Sequence, residues 1–457
     1  MDNELTLRQL ETTYRQYELF EETEELVLDE SSLDQLFLSE QNERRAFFYW
    51  KNSTDTLTVR GFGHECIVRT EGTLETRYDE IERSLHRLRE RYVGEGEAPL
   101  LFGSFSFDPN NDRPSEWEGF PSGLFILPSF LLRSERGTLR LSRYTFCERS
   151  LYDATRAREE LSDWVSRLKE AVVPPVDASL APTVVEERHV EQYGRAVEGA
   201  KRHIREGDAE KIVIARSLRL AFQRRLEPLA HLYTLVDAQP NSYRFGLSYG
   251  NRTFIGATPE RLVEVEGETV RSASVAGSIR RGKTKEEDES LGQTLLNDEK
   301  NLKEHDYVVQ MIDGVFEAHC DHYTKPNGPQ LLKVRDIQHL YTPIEGKISN
   351  DHSIFQFIQQ LHPTPALGGV PTRASIDYIR ELEQMNRGYY AAPIGWVDLE
   401  GSGEFAVALR SSLIVDDEAY LYAGGGIVAD SQVEHEYDET WVKFLPMLRT
   451  FGGVEDE

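Results

Sequence analysis

From Phe405 to Ile414 the chain reads Phe405-Ala406-Val407-Ala408-Leu409-Arg410-Ser411-Ser412-Leu413-Ile414, apolar on both faces of a strand until Arg410 interrupts it. A strand with that pattern is buried on both sides, and a guanidinium inside it has no water to turn to. The charge therefore needs an anion, either an internal carboxylate or one carried by a ligand. Lys211 poses a related question. It opens the run Lys211-Ile212-Val213-Ile214-Ala215-Arg216. A lysine beside low-dielectric walls loses its preference for the charged form and becomes a usable base. One at a strand end can instead lay its stem on apolar surface and keep its amine in water. The pattern alone leaves both readings open.

Two helix-like segments carry carboxylates toward apolar stripes. Glu304 is followed by Val308, Met311 and Val315 at i+4, i+7 and i+11, so it begins a buried stripe. Nearer the C-terminus, Glu436, Glu439 and Lys443 stack at i, i+3 and i+7. That spacing suits a surface Glu–Lys pair contributing a few tenths of a kcal/mol. Two inward carboxylates on separate helices could equally hold a hard, oxygen-loving cation such as Mg²⁺. Gly424-Gly425-Gly426 follows the strand-like run Ala419–Ala423. Bare N–H groups there could approach a carboxylate, or the glycines could simply make a tight turn. Ala276-Gly277-Ser278 invites the same two readings.

The wider sequence narrows the function classes. A net charge of −27 argues against nucleic acid as a partner. There are 12 Lys against 40 Arg, which fits either a salt-adapted surface or an ordinary acidic cytosolic enzyme with Arg-rich coding. In either case an anionic substrate requires cations concentrated locally. No stretch approaches the roughly 20 apolar residues of a membrane span, so no membrane partner is expected. Met1-Asp2-Asn3-Glu4 does not read as a secretory signal. Cys66, Cys147 and Cys320 are scattered, as in a reducing cytoplasm, with neither a disulfide framework nor a zinc spacing. Residues 1–45 read as acidic and helix-like. From Arg45 to about Arg143 short strand-like runs alternate with turns, as in antiparallel sheet, around one helix-like segment at roughly 77–93. A charged helix pattern near 150–170 leads to a connection at Val173–Ser179. Beyond it Val190, Tyr193, Val197, Ala200 and Ile204 repeat at helical spacing, with Gly207 placed as a C-terminal cap.

Over about 185–452 the chain resembles the chorismate-utilising enzymes, which comprise isochorismate, salicylate, anthranilate and aminodeoxychorismate synthases. The resemblance is carried by ordered blocks: Glu210–Arg216, Phe254–Leu262, Val275–Ser278, Asn297–Lys300 with Glu304-His305, and Gln338-His339-Leu340. His362–Gly369, Ile394-Gly395-Trp396, Ala408-Leu409-Arg410, Ala423–Val428 and Glu439-Thr440 with Lys443 complete the series. It implies an α+β fold of two packed, largely antiparallel sheets surrounded by helices. A variable N-terminal sheet-forming region, 1–180, would join a chorismate-binding region, 185–452, in one large domain. The resemblance further implies that Glu304 and Glu439 hold Mg²⁺, with Glu436 as an outer ligand. Lys443 and the Gly277–Ser278 backbone would bind the ring carboxylate of chorismate. Arg410, Tyr390 and the glycine loop at Gly425 and Gly426 would receive the enolpyruvyl carboxylate. Asn301 stands where many relatives carry an acid, which leaves that cluster one carboxylate short.

The same resemblance selects among members. Ammonia users carry Gln at the place of Lys211 and depend on a glutaminase; here a lysine base for water is implied and no glutaminase partner. Glu260 is the implied acid at C4, and His339 the imidazole beside the reacting ring. Ala276 stands where aminodeoxychorismate synthases carry a nucleophilic lysine. These positions imply an isochorismate synthase. Salicylate synthase and a catalytically silent paralogue are the alternatives, and Tyr390–Asp398 leans toward menaquinone over siderophore biosynthesis. A monomer or weak dimer is expected.

Overall fold

The run that the sequence presents as one strand is two. In the computed structural model Gly403–Val407 belongs to one sheet and Ser411–Val415 to another. Arg410 sits at the crossing in the left-handed region, φ 46°. The described residues are 4–27, 33, 47–94, 96–113, 115–170, 181–349 and 352–454. The strands pair antiparallel, except that Glu4–Leu5 runs parallel to Cys66–Thr70. The first sheet, of 11 strands, orders Glu4–Leu5, Cys66–Thr70, Gly123–Leu127, Leu100–Phe105, Pro393–Asp398, Gly403–Val407, Arg261–Glu266, Thr269–Arg280, Ile337–Ile348 and Cys320–Thr324, with Gln330–Lys333 also on Ile337–Ile348. The second, of 12, orders Val184–Arg188, Lys211–Ala221, Glu418–Ile427, Ser411–Val415, Arg252–Thr258, Tyr243–Tyr249, Phe47–Lys51, Leu57–Phe62, Phe130–Glu135, Thr138–Glu148 and Tyr17–Leu26; Gly369–Val370 joins Lys211–Ala221. Strands from before residue 180 and after 185 share both sheets: Leu100–Phe105 pairs Pro393–Asp398, and Phe47–Lys51 pairs Tyr243–Tyr249.

The two sheets bury their facing sides against each other. Leu57–Phe62, Leu100–Phe105 and Gly123–Leu127 are buried at every residue, as strands covered on both faces must be. Across the seam Phe48 stacks on Phe102 with ring centroids 5.0 Å apart. Burying a side chain of that size contributes about 1.5–3 kcal/mol before its lost rotamer freedom is counted. Helices close the outer faces. Leu229, Leu232 and Leu235 of Pro228–Ala238 and Phe444, Met447 and Leu448 of Val433–Thr450 pack on Leu218, Ile255, Ile414 and Leu421 of the second sheet. Glu299–His319 lies on Thr269–Arg280 and Ile337–Ile348 of the first.

Local patterning places most elements. Arg77–Arg89 and Ala154–Glu170 are helices, as their spacing predicts. Val190–Glu206 ends on Gly207, whose φ of 86° is the left-handed cap that a glycine adopts without strain. The connection expected at Val173–Ser179 lies outside the described residues. The helix-like reading of 1–45 is corrected where it can be compared: Leu7–Glu11 is a short helix with a Thr6–Gln9 capping box, but Tyr17–Leu26 is an edge strand. Its glutamates are good helix formers, yet Leu19, Phe20 and Leu26 are buried against the sheet. Glu18 meets Arg149 at 2.6 Å and Glu22 meets Arg158 at 2.9 Å. Burial and these ion pairs to the following helical turns override the helix preference, and charge along an edge blocks further pairing.

Candidate active site

A cavity of about 370 Å³ opens over Thr269–Arg280, the first turns of Glu299–His319, the start of Val433–Thr450 and the glycines of Glu418–Ile427. Glu260, His339, Gly277, Ser278, Tyr390, Arg410, Gly425, Gly426, Glu304, Glu436, Glu439 and Lys443 all line it. Lys211 lies one contact back in the wall, 2% exposed, with its amine paired to Glu304. The three glycines are not a loop, as their sequence suggests. They are strand residues, with Gly424, Gly425 and Gly426 opposite Ala215, Ile214 and Val213.

Their lack of a side chain has a specific use. A Cβ on Gly426 would stand 2.3 Å from Lys211 Cε and 2.9 Å from its Nζ, and one on Gly425 would stand 3.1 Å from Glu436 Oε2. The lysine stem crosses the strand where only glycine leaves room. Because the far end of a flexible side chain can yield, Gly426→Ala is expected to fold while displacing the amine. A displacement of about 1 Å typically costs about 100-fold in turnover. An alanine variant with unchanged kcat would show that the amine's place does not matter.

Burial sets the state of Glu260, which is 4% exposed beside the turn joining Arg252–Thr258 to Arg261–Glu266. Desolvation pushes its carboxyl up to about 8, against the opposing pull of Lys211 and Arg410. It is a neutral acid at neutral pH. Arg410 is 8% exposed, and among the described residues no carboxylate lies within 4.0 Å of it. Its hydrogen-bond partner is His339, with Nη2 donating to Nε2 at 2.9 Å. Burial draws the guanidinium down to about 10, with Asp336 and Glu260 acting in the opposite sense. Of the two anions that the sequence leaves open for Arg410, an internal carboxylate in direct contact is not found among the described residues.

The carboxylates gather over the glycine pair. Glu304 holds Lys211; Glu439 Oε1 accepts from Lys443 Nζ at 2.7 Å; and Glu436 accepts from Ser431 Oγ at 2.7 Å. Burial raises the Glu304 carboxyl, but Lys211 outweighs that and leaves it below the usual range; Lys443 does the same for Glu439. Burial leaves Glu436 raised. The three do not close to within 4.8 Å of one another; among the described residues His203, Glu206 and Asp208 form the one triad that tight. Lys443 also donates to Gly424 O at 2.8 Å. Tyr390 stacks on Tyr422 at 5.2 Å, and burial pushes its hydroxyl up to about 12, so it remains a donor.

The sequence marks Asn301 only as a missing acid and does not mark Arg387 at all. Asn301, one turn before Glu304, accepts from the Ser278 N–H at 3.2 Å and donates to Asp298 at 2.8 Å. The peptide N–H that the resemblance assigns to a ring carboxylate therefore has a side-chain partner here. Arg387 also lines the cavity, buried and ion-paired to Glu383. It donates to Leu367 O at 3.0 Å and Val213 O at 2.9 Å, while Glu383 accepts from the Ala215 N–H at 2.7 Å. Nothing local signals this pair, because Glu383 and Arg387 at i, i+4 among other charges read as solvated.

The model of the chorismate binding enzyme family matches residues 7–452. The isochorismate synthase MenF of Bacillus subtilis is 40% identical over 417 residues, covering 89% of this chain and 88% of its own. The salicylate biosynthesis isochorismate synthase of Pseudomonas aeruginosa is 33% identical across 92% of this chain and 89% of its own. Among solved structures, MenF, the menaquinone-specific isochorismate synthase of Escherichia coli, shares the fold with a TM-score of 0.80 at 24% identity, over 98% of this chain and 99% of that one.

Proposed function

The chain belongs to the chorismate-binding enzyme family, and from that premise we propose that it is an isochorismate synthase serving menaquinone biosynthesis. One observation carries the reading: a buried carboxyl, Glu260, stays protonated to about pH 8 in the same cavity whose wall holds the Lys211 amine. Lys211 takes a proton from water as the oxygen bonds to C2 of the ring. The ring double bond shifts, and hydroxide leaves C4 carrying the proton of Glu260. Water is consumed and water is released, so the net change is an isomerisation. A base and an acid in one dry site contribute typically 10²–10⁴-fold each.

The substrate is a dianion, and the cavity offers cations for it. Lys443 and the Gly277–Ser278 segment face the ring carboxylate in this reading, while Arg410, Tyr390 and the Gly425–Gly426 strand face the enolpyruvyl carboxylate. The donor set also fits a magnesium ion, because three hard carboxylates lie over two adjacent glycines: a Cβ on Gly425 would stand 3.1 Å from Glu436 Oε2 and 4.0 Å from Glu439 Oε1, and one on Gly426 3.4 Å from Glu304 Oε1. Glu304 and Glu439 would hold it, with Glu436 directly or through water. When bound, the ion supplies charge neutralisation at the ring carboxylate. A Glu304 so engaged leaves the Lys211 amine to the cavity. Glu439→Ala is then expected to lose activity that excess Mg²⁺ restores poorly; an unchanged metal dependence would remove Glu439 from the ligand set.

No helix of the described residues is long and apolar enough to cross a membrane. The three free cysteines suit a reducing cytoplasm, where the proposed enzyme would act without a glutaminase. The deciding experiment is incubation with chorismate and Mg²⁺ followed by product identification. Isochorismate alone supports the proposal. Salicylate with pyruvate makes the chain a salicylate synthase, and no product makes it a silent relative.

Glu260 also fixes a pH dependence. Its raised carboxyl carries the required proton below about pH 8 and loses it above. Turnover is expected to fall as pH rises through that value. Glu260→Gln should be slow, and its residual rate should lack this alkaline limb. Retention of the limb in the variant would assign it to another group.

A further inference from the structure

We propose that the Ser278 hydroxyl is a substrate-binding hydrogen-bond donor, aimed into the cavity by His339, and that His339 is a positioning residue that holds Ser278 and Arg410. The proposal rests on the isochorismate synthase reading of the cavity and assigns a side-chain atom where that reading uses only the serine's backbone.

The acceptors available around His339 fix its bonding pattern. A guanidinium has donors and no acceptor, so the 2.9 Å contact of Arg410 Nη2 with His339 Nε2 requires a lone pair on that nitrogen. His339 is therefore neutral, with its hydrogen on Nδ1. Its surroundings agree: burial, then Arg410 and Lys443, hold the imidazole well below its ordinary value. Nδ1–H then donates to Ser278 Oγ at 2.7 Å. The serine oxygen is fixed as an acceptor, which leaves its own hydrogen to be given elsewhere. Among the described residues no acceptor takes it. Ser278 lines the cavity and is exposed there, while its N–H is held by Asn301. The hydroxyl is thus the donor that this serine presents to an anionic ligand.

The other end of the chain of bonds matters equally. Arg410 is at a crossing between sheets with φ 46°, a conformation that a non-glycine residue holds only when its surroundings impose it. The Nε2 contact fixes its guanidinium. With Nε2 occupied by Arg410 and Nδ1–H by Ser278, neither nitrogen of His339 is available to give a proton to the leaving hydroxyl, and that task falls to Glu260.

The test combines substitution with spectroscopy. Ser278→Ala is expected to raise KM for chorismate roughly 10- to 100-fold, the range for losing a hydrogen bond to a charged group, and Ser278→Thr to restore it. An unchanged KM in Ser278→Ala overturns the donor role. His339→Gln can accept from Arg410 and donate toward Ser278, so it should recover most of the turnover that His339→Leu loses. Were the imidazole the proton donor, the glutamine variant would be as slow as the leucine one, and the positioning role would fall. Nitrogen NMR of histidine-labelled protein should show a neutral Nδ1–H tautomer for His339 from about pH 6 to 8; an imidazolium or the opposite tautomer overturns the bonding pattern. This last measurement needs no turnover, so a protein that made no isochorismate would refute the proposed function while leaving the tautomer to be read.

Discussion

Lys211→Gln is expected to slow the conversion of chorismate at least about 100-fold and as much as about 10⁴-fold, with chorismate binding largely kept. Glutamine cannot take a proton from water, and water at neutral pH adds to a ring carbon only with such help. The amide can still donate to Glu304, which the lysine holds in this structure, so the fold should survive. Lys211 lies in the wall and Arg410, Tyr390 and Lys443 line the cavity itself, which is why binding and turnover should separate. Single-turnover rates and chorismate dissociation constants on the two proteins make the comparison. Turnover within a few-fold of the parent would end the assignment of Lys211 as base.

Arg387→Met is expected to destabilise the protein by about 3–5 kcal/mol, because it strands a carboxylate in the interior. Glu383 and Arg387 are each 3% exposed. Together they tie the strand that starts at Lys211, through the Ala215 N–H and Val213 O, to the Leu367 carbonyl. Removing Arg387 leaves Glu383 charged among apolar neighbours. The methionine fills much of the volume, so the loss is electrostatic more than steric. A second change, Glu383→Gln, removes the stranded charge, and the double variant should recover part of the stability despite carrying two substitutions. Denaturant midpoints on the parent, the two singles and the double form the cycle. Additive losses would show that the pair does not act as a unit.

Much of this protein can be read along the chain because local rules act locally. Helical spacing in Val190–Glu206 and its glycine cap, the short apolar runs at Leu100–Phe105 and Gly123–Leu127, and the carboxylate stripe ahead of Val308 need only neighbours in sequence. The ordered blocks and the family they point to gave thirteen candidate residues, of which twelve line one cavity while Lys211 sits in its wall. Other features depended on partners far along the chain. Tyr17–Leu26 is a strand because Thr138–Glu148 offers it an edge. The glycines at 424–426 are strand residues because Val213–Ala215 pairs with them, and Lys211 fills the place of a Cβ on Gly426. The run at Phe405–Ile414 specified burial on both faces, but only the packed sheets decided that it is two strands, with a left-handed arginine between them. The tautomer of His339 was decided in the same way, by a guanidinium 71 residues along the chain. Sequence patterning registers how much water a residue avoids; which atom meets it inside is settled only when distant segments share one interior and each buried donor must find its acceptor.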